Sequence, residues 1–165
     1  MKYTVSTSFG KFTLSLFPDD APATVKNFST YVEENFYNST IFHRVIDGFM
    51  IQGGGFDKNL EEKSTKEAIQ NEANNGLSNK ALTIAMARTS EPHSASSQFF
   101  INLVDNTFLD FNEETSDGWG YAVFGEVIEG QETIFKIGKV QTGTRGFFQD
   151  VPVKPIEIQK ITKLK

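Results

Sequence analysis

Apolar and polar residues alternate with a period of two at the start of the chain. The alternation covers residues 2–8 and returns over 11–17, and Gly10 lies between the two runs. A period of two is typical of a strand with one buried face, and a glycine between two such runs is typical of a turn. The pattern therefore predicts a β-hairpin at the N-terminus.

The rest of the pattern predicts two helices and several more short strands. Apolar residues recur at helical spacing over 22–35, where Pro22 suits the first turn, and a second helix is predicted over 130–138. The further strands are predicted at 40–45, 49–54, 81–86, 97–103, 121–128 and 155–162. The last strand changes register at Gln159-Lys160, which predicts a β-bulge there.

Many short strands with few helices favour an all-β fold, either an antiparallel sandwich or a closed barrel. The periodicity alone does not choose between the two. A length of 165 residues with 38% hydrophobic content suits one core, so we expect residues 1–165 to form a single domain. The polar stretch 57–79 is predicted to be a long surface excursion, and loops of that length are usually functional.

Composition excludes several classes of function. The net charge is −5, from 16 basic and 21 acidic residues, so nucleic acid and anionic lipid are poor partners. The absence of cysteine excludes disulfides, thiolate zinc sites and a cysteine nucleophile. No segment approaches the roughly 18 apolar residues of a membrane span, and no export signal opens the chain. We therefore expect a soluble cytoplasmic protein.

Metal and cofactor chemistry finds little support in the sequence. His43 and His93 are the two histidines, and no carboxylate or thiolate spacing around either suggests a metal site. His43 lies in an apolar strand and is interpreted as a hydrogen-bonded core residue. The run Gly53-Gly54-Gly55 lacks the spacing of a nucleotide-binding loop and indicates a tight turn or a close backbone approach. We expect no metal and no cofactor.

Two segments combine polar groups with aromatic residues. The segment from Phe42 to Gly54 places Arg44 among apolar strand residues, where its guanidinium either reaches a surface partner or lies over an apolar pocket. The segment from Ser97 to Asn102 places amides beside two phenylalanines. From the residues alone, structural packing and a binding site are equally good interpretations.

These segments resemble the cyclophilins, the peptidyl-prolyl cis–trans isomerases. The family pattern is close to F-H-R-V-I-x-G-F-M-x-Q-G-G followed by S-Q-F-F-I, and both parts are present at 42–54 and 97–101. The likeness continues through 82–88, 106–110 and 123–127, and it is nearest to the small bacterial cytoplasmic members. The resemblance implies a closed eight-stranded antiparallel β-barrel with two α-helices.

The resemblance also implies a role for individual residues. Arg44 would be the catalytic cation, and Gln52 would orient the substrate backbone. The proline pocket would be lined by Phe49, Met50, Phe100 and Leu109. Phe108 and Tyr121 would lie at its rim, at positions where many relatives carry tryptophan and histidine. Gln98 and Asn102 would support the groove, while Ala87 and Arg88 would pair with the extended substrate.

The implied reaction is rotation about an X–Pro imide bond, which faces a barrier of roughly 18–20 kcal/mol. No bond is broken, so the reaction needs no nucleophile, metal or cofactor. The implied partners are proline-containing peptides and folding proteins, acted on by a monomer. Cyclosporin is expected to bind weakly, because Phe108 lacks the indole N–H donor of tryptophan.

An alternative from another class is a barrel that merely binds apolar ligands or proline-containing peptides. The feature that discriminates is Arg44 together with Gln52, because a passive apolar carrier needs no guanidinium at its pocket. A hydrolase is a third reading, but no nucleophile and base can be assembled from the sequence.

Overall fold

Most strands and both helices lie where the sequence pattern predicts them. The computed structural model describes residues 1–165. Helix α1 spans Pro22–Glu33 and α2 spans Gln131–Gly138, and neither is long and apolar enough to cross a lipid bilayer. The strands are β1 Lys2–Thr7, β2 Gly10–Leu16, β3 Arg44–Ile46, β4 Met50–Gly53, β5 Thr83–Met86, β6 Phe99–Asn102, β7 Val123–Glu129, β8 Thr142–Arg145, β9 Phe148–Pro152 and β10 Ile158–Lys163. Short 3-10 turns cover Ala73–Asn75 and Thr107–Leu109.

Eight of these strands form one curled antiparallel sheet in the order β10-β1-β2-β7-β5-β6-β4-β3. The predicted closed barrel is wrong, because β10 and β3 are the two edges and do not pair with each other. The sheet is a half-barrel. Strand β3 has only three residues, and β9 packs beside it. An isolated bridge between Ile41 and Glu157 precedes these strands but does not continue into a ladder.

The separate hairpin of β8 and β9 was not predicted from the sequence. Most residues of β8 are exposed, and Phe147 at the hairpin tip is fully exposed. In β9 only the adjacent residues Val151 and Pro152 are buried, so the hairpin shows no apolar alternation and its pattern is that of a loop. Gly146 makes the turn possible, since its φ of +59° lies in the left-handed region.

The predicted bulge near the C-terminus is confirmed by the pairing of β10 with β1. Ser6 lies opposite Lys160, whereas its neighbour Thr7 lies opposite Ile158. Gln159 is therefore the extra residue. The bulge explains the change of register in the sequence, because the extra residue shifts the following side chains to the other face.

Helix α1 packs into the half-barrel through a cluster of aromatic rings. Phe28 is fully buried, and its ring centroid lies 5.6 Å from Tyr3, 5.3 Å from Tyr37, 5.9 Å from Phe99 and 5.6 Å from Phe124. Aromatic pairs at these distances stabilise a core beyond the area they bury. Three of the 16 phenylalanines of the chain, Phe28, Phe99 and Phe124, take part in this packing.

The long polar segment 57–79 returns to the helix and caps its N-terminus. Glu72 accepts hydrogen bonds from the backbone N–H of Ala23 at 3.3 Å and of Thr24 at 2.7 Å, and from the Thr24 hydroxyl at 2.6 Å. The first N–H groups of a helix have no partner within it, and a carboxylate there also meets the positive end of the helix dipole. Part of this segment is therefore structural.

The glycine run after β4 provides a close backbone approach, as predicted. A Cβ atom on Gly53 would lie 2.7 Å from the carbonyl oxygen of Ile41. Gly54 has a φ of +89°, and a Cβ there would lie 2.8 Å from the ring of Phe99. Any side chain at these positions would push the neighbouring chain away from the core.

Candidate active site

A cavity of about 160 Å³ opens where strands β3 to β6 meet the loops around residues 109 and 121. Its lining consists of residues that the family resemblance assigned to a site: Arg44, Phe49, Met50, Gln52, Ala87, Arg88, Phe100, Leu109 and Tyr121. They come from five separate parts of the chain, so only the fold brings them together. Gln98 and Phe108 do not line this cavity.

The pairing of strands explains why these side chains share one face. Arg44 lies opposite Gln52 in the β3–β4 pair, and Gln52 lies opposite Phe100 in the β4–β6 pair. Side chains directly opposite each other in an antiparallel pair point to the same side of the sheet. Met50 precedes Gln52 by two residues and so projects to that side as well.

The floor of the cavity is apolar and belongs to a packing cluster distinct from the main core. Met50 and Phe100 pack with Ala85 and Val123, and all four are almost completely buried. Phe100 also meets Tyr121 edge to face, with ring centroids 5.7 Å apart. The floor of the cavity is thus an apolar, well-packed surface.

One side of the cavity is polar. An Nη1–H of Arg44 donates to Oε1 of Gln52 at 3.3 Å, and Nε2 of Gln52 donates to Oε1 of Gln98 at 3.0 Å. Arg44 is exposed, and no carboxylate pairs with it. Its remaining N–H groups can therefore donate to a molecule in the cavity.

Arg88 lies on the opposite side and is held by its own chain. Its Nε and Nη2 donate to the carbonyl oxygen of Gly120 at 3.1 and 2.9 Å, and Nη1 donates to that of Thr89 at 2.9 Å. The guanidinium lies 4.4 Å from the centroid of the Tyr121 ring. Its side chain thus fixes the wall instead of projecting free donors into the cavity.

A second, more polar cavity of about 330 Å³ adjoins the first one. It shares Gln52, Ala87 and Arg88 with the first cavity, and it contains the predicted residue Gln98. Gln98 therefore lies at the boundary of the two cavities, where it holds the amide of Gln52.

Phe108 lies on the outer rim. Its side chain is 70% exposed, and its ring stacks on Phe49 with centroids 5.9 Å apart and planes 23° apart. Phe49 in turn lines the cavity. Phe108 thus extends the apolar wall outward without touching the floor.

Buried asparagines lie behind the cavity, and the sequence reasoning found only one of them. Asn102 was predicted to support the groove, and it is fully buried. Asn79 and Asn106 contact it, and neither stood out in the sequence. Their only signal would have been polar residues at positions flanked by apolar ones, which is weak without knowledge of the fold.

His43 directly precedes β3, and its side chain is buried whereas that of Arg44 is exposed. It is a buried residue, as predicted, but the expected hydrogen bond is missing, since Nδ1 has no partner. Its ring lies 4.6 Å from the ring of Phe56. Burial, together with the nearby charge of Arg44, lowers the pKa of His43 to about 4. His43 is therefore neutral near pH 7.

Comparison with known proteins decides the family. The model of the cyclophilin type peptidyl-prolyl cis-trans isomerases matches residues 2–163. The chain belongs to this family. The chain is 56% identical to peptidyl-prolyl cis-trans isomerase B of Escherichia coli over 96% of its length and 97% of the relative's. It is 54% identical to peptidyl-prolyl cis-trans isomerase cyp18 of Streptomyces antibioticus, over 94% and 93% of the two chains.

The cyclophilin fold is also found by structural comparison. A crystal structure of a Cryptosporidium parvum cyclophilin, determined in the presence of the dipeptide Ala-Pro, superposes with a TM-score of 0.85 at 25% identity, covering 100% of this chain and 99% of the other. The resemblance inferred from the sequence is confirmed. The protein is a cyclophilin and a peptidyl-prolyl cis–trans isomerase, so the passive-carrier reading is dropped.

Proposed function

We propose that the cavity binds the proline of an X–Pro substrate and that Arg44 promotes the rotation. The observation that carries this proposal is the single cavity that joins an apolar floor of Met50 and Phe100 to the free donors of Arg44. A proline ring is apolar and compact, so the floor favours it over polar side chains. The guanidinium of Arg44 lines the same cavity and is proposed to face the imide of a proline bound on this floor.

Arg44 acts in this mechanism by weakening the resonance of the imide. Partial double-bond character creates the barrier, and twisting the bond localises the lone pair on the proline nitrogen. A guanidinium that donates to the substrate carbonyl and to that nitrogen stabilises the twisted state more than the planar one. An acceleration of about a millionfold corresponds to roughly 8 kcal/mol of such differential stabilisation.

Gln52 is proposed to orient the substrate backbone beside Arg44. Its amide oxygen accepts from Arg44, and its NH₂ group is held by Gln98, so the amide has a defined direction. Ala87 and Arg88 border both cavities and are proposed to pair with the extended peptide. Met50 and Phe100 are proposed to form the floor and Phe49 and Leu109 the walls, with Tyr121 and Phe108 at the rim.

The proposed substrates are proline-containing peptides and folding proteins. The Ala-Pro dipeptide named for the Cryptosporidium relative supports this class of ligand. We further propose that residues 1–165 act as one domain, as a monomer and in the cytoplasm. The proposed chemistry needs no metal or cofactor, because it forms and breaks no covalent bond.

The pocket is tested by comparing two neighbouring phenylalanines of β6 in a protease-coupled isomerisation assay on an X–Pro peptide. Phe100 faces the cavity, whereas Phe99 faces the main core, and both are buried. Each change to alanine should reduce stability by about 3–5 kcal/mol. Only Phe100→Ala should also raise KM and lower kcat/KM of the folded fraction.

The corresponding leucine variants repeat the comparison if an alanine variant does not fold. Equal kinetic constants for Phe100→Leu, Phe99→Leu and the unaltered protein would contradict the pocket assignment. They would show that Phe100 serves packing alone.

A further inference from the structure

Three buried asparagines form a continuous chain of side-chain hydrogen bonds behind the cavity. Nδ2 of Asn102 donates to Oδ1 of Asn79 at 3.1 Å, and Nδ2 of Asn106 donates to Oδ1 of Asn102 at 2.9 Å. Asn79 and Asn102 are completely buried, and Asn106 is 3% exposed. Buried amides without partners are costly, so such a chain holds its members in a defined arrangement.

Both ends of this asparagine chain are attached to the walls of the cavity. At one end, Nδ2 of Asn106 donates to the backbone carbonyl of Phe49 at 2.9 Å. At the other end, Nδ2 of Asn79 lies 3.3 Å from the carbonyls of both Leu109 and Tyr121. Three wall residues from three different loops are thus held through one set of side chains.

These wall residues have little regular structure of their own to hold them. Phe49 lies in the turn between β3 and β4, Leu109 ends a short 3-10 turn, and Tyr121 precedes β7. Loops are more mobile than the strands that they connect. Main-chain bonds join the N–H of Tyr121 to the carbonyl of Leu109 and the N–H of Leu103 to that of Phe49, and the amide contacts behind the walls add to them.

Asn79 has the largest number of these contacts, and it is itself anchored. Its backbone N–H donates to Oδ1 of Asp110 at 2.7 Å, and its Nδ2 lies 3.1 Å from the same oxygen. The hydroxyl of Ser78 also donates to Asp110, at 2.5 Å. The side chain of Asn79 touches neither the cavity nor Arg44, so it can act on the substrate only through the walls.

We propose that Asn79 is a positioning residue for the proline pocket, holding the loops of Leu109 and Tyr121 directly and that of Phe49 through Asn102 and Asn106. This proposal rests on the pocket proposed above. Arg44 and Gln52 have no bond to the asparagine chain, and they are positioned by their strands. Asn79 therefore governs proline binding more than the rotation step.

The test is the change Asn79→Ala in the isomerisation assay, with KM and kcat determined separately. Loss of the amide removes one hydrogen bond from each of the Leu109 and Tyr121 carbonyls, although the Leu109 carbonyl keeps the backbone N–H of Tyr121. It also orphans a donor of Asn102, and such losses typically change binding five- to a hundredfold. We expect KM to rise about tenfold and kcat to stay within about twofold. Asn79→Ser keeps a hydroxyl that both donates and accepts, so it should restore part of the affinity.

The matched control is Ser29→Ala, which removes a buried hydrogen bond far from the cavity. The Ser29 hydroxyl lies 2.5 Å from that of Tyr3. Ser29→Ala should lower the free energy of unfolding measured with urea, and its KM should not change. If Asn79→Ala does not fold, Asn106→Ala removes the amide bonds to the Phe49 carbonyl and to Oδ1 of Asn102 and leaves the bonds of Asn79 to Leu109 and Tyr121 in place. It should raise KM in the same direction.

The outcome separates this proposal from the one on which it rests. If Phe100→Ala raises KM while Asn79→Ala and Asn79→Ser lose only stability, as Ser29→Ala does, the positioning role is overturned and the pocket stands. If Phe100→Ala leaves KM unaltered, the pocket itself is wrong, and the role of Asn79 falls with it. A lower kcat with an unchanged KM in Asn79→Ala would also overturn the proposal.

Discussion

His43, directly before β3, and Arg44, its first residue, have opposite surroundings. His43 is buried against Phe56, whereas Arg44 is exposed beside the cavity. Burial removes the charge of His43, whereas Arg44 keeps contact with solvent and needs no buried counter-ion. The chain thus presents the charge of Arg44 to the site and keeps His43 neutral in the core, where an unpaired charge would be costly.

Replacing Arg44 with alanine should lower kcat/KM by about a hundredfold or more, the usual effect of losing one transition-state donor. The circular dichroism spectrum should not change, because the side chain is exposed and only Gln52 bonds to it. Arg145→Ala is the control, since Arg145 is an exposed arginine on β8 outside the cavity. Near-normal turnover of a folded Arg44→Ala protein would refute the electrostatic role.

Phe108→Trp should increase inhibition by cyclosporin by about five- to a hundredfold, because an indole N–H can pair a drug carbonyl that phenylalanine leaves unpaired. The stack on Phe49 can be retained by the larger ring, and the apolar floor is not touched. Turnover should therefore change much less. Inhibition constants are measured by titrating the drug into the isomerisation assay.

The control for this change is Phe147→Trp, which places a new indole on an exposed residue at the β8–β9 hairpin tip. Its inhibition constant should equal that of the unaltered protein. The same constant for Phe108→Trp would show that Phe108 does not account for the weak drug binding expected here.

At the scale of elements, helix α1 depends on a segment far away in the sequence. Its N-cap residue, Ala21, directly before Pro22, has no side chain that can cap, and no acidic residue lies in the first turn. The carboxylate of Glu72 supplies what the helix itself lacks. The long excursion is thus coupled to the helix and, through Phe28, to the aromatic core.

Glu72→Ala should lower the free energy of unfolding by about 0.5–2 kcal/mol, the range for loss of a helix cap. Urea denaturation followed by circular dichroism measures this change, with exposed Glu67→Ala as the control. The kinetic constants should be unaffected, because Glu72 is outside the cavity. An unchanged denaturation midpoint would mean that water replaces the carboxylate as the cap.

At the scale of the whole molecule, His43 links stability to pH. Its pKa is about 4 in the folded protein, against 6.5 for an unperturbed histidine. Between these values the unfolded chain binds a proton that the folded protein does not. Stability should therefore fall as the pH drops from about 6.5 to about 4, with about 3 kcal/mol of the loss due to His43.

His43→Phe should remove this part of the pH dependence, as measured by urea denaturation at several pH values. His93→Gln is the control and should keep it, because His93 is exposed. If the free energy of unfolding of His43→Phe and of the unaltered protein changed with pH in the same way, His43 would not be the source of the pH dependence. Activity, in contrast, should be nearly flat between about pH 6 and 9, since no histidine or carboxylate lines the cavity.

The sequence by itself determined the strands that have one buried face, both helices, the bulge at Gln159 and the family. The strands, helices and bulge depend on residues within a few positions of one another, and the period of the apolar pattern shows such local relations directly. The family was recognised from the two motifs instead. The two motifs at 42–54 and 97–101 also named residues that the structure places around one cavity. Their roles stay predictions until the variants are measured.

Only the tertiary structure decided how distant parts of the chain meet. It left β10 and β3 unpaired, so that the sheet is a half-barrel, and it turned Arg88 onto Gly120 and Tyr121. It also joined Asn79, Asn102 and Asn106 into one buried chain. The sequence does not show which strand edge stays unpaired or which buried amide is hydrogen-bonded, because each of these contacts depends on residues tens of positions away.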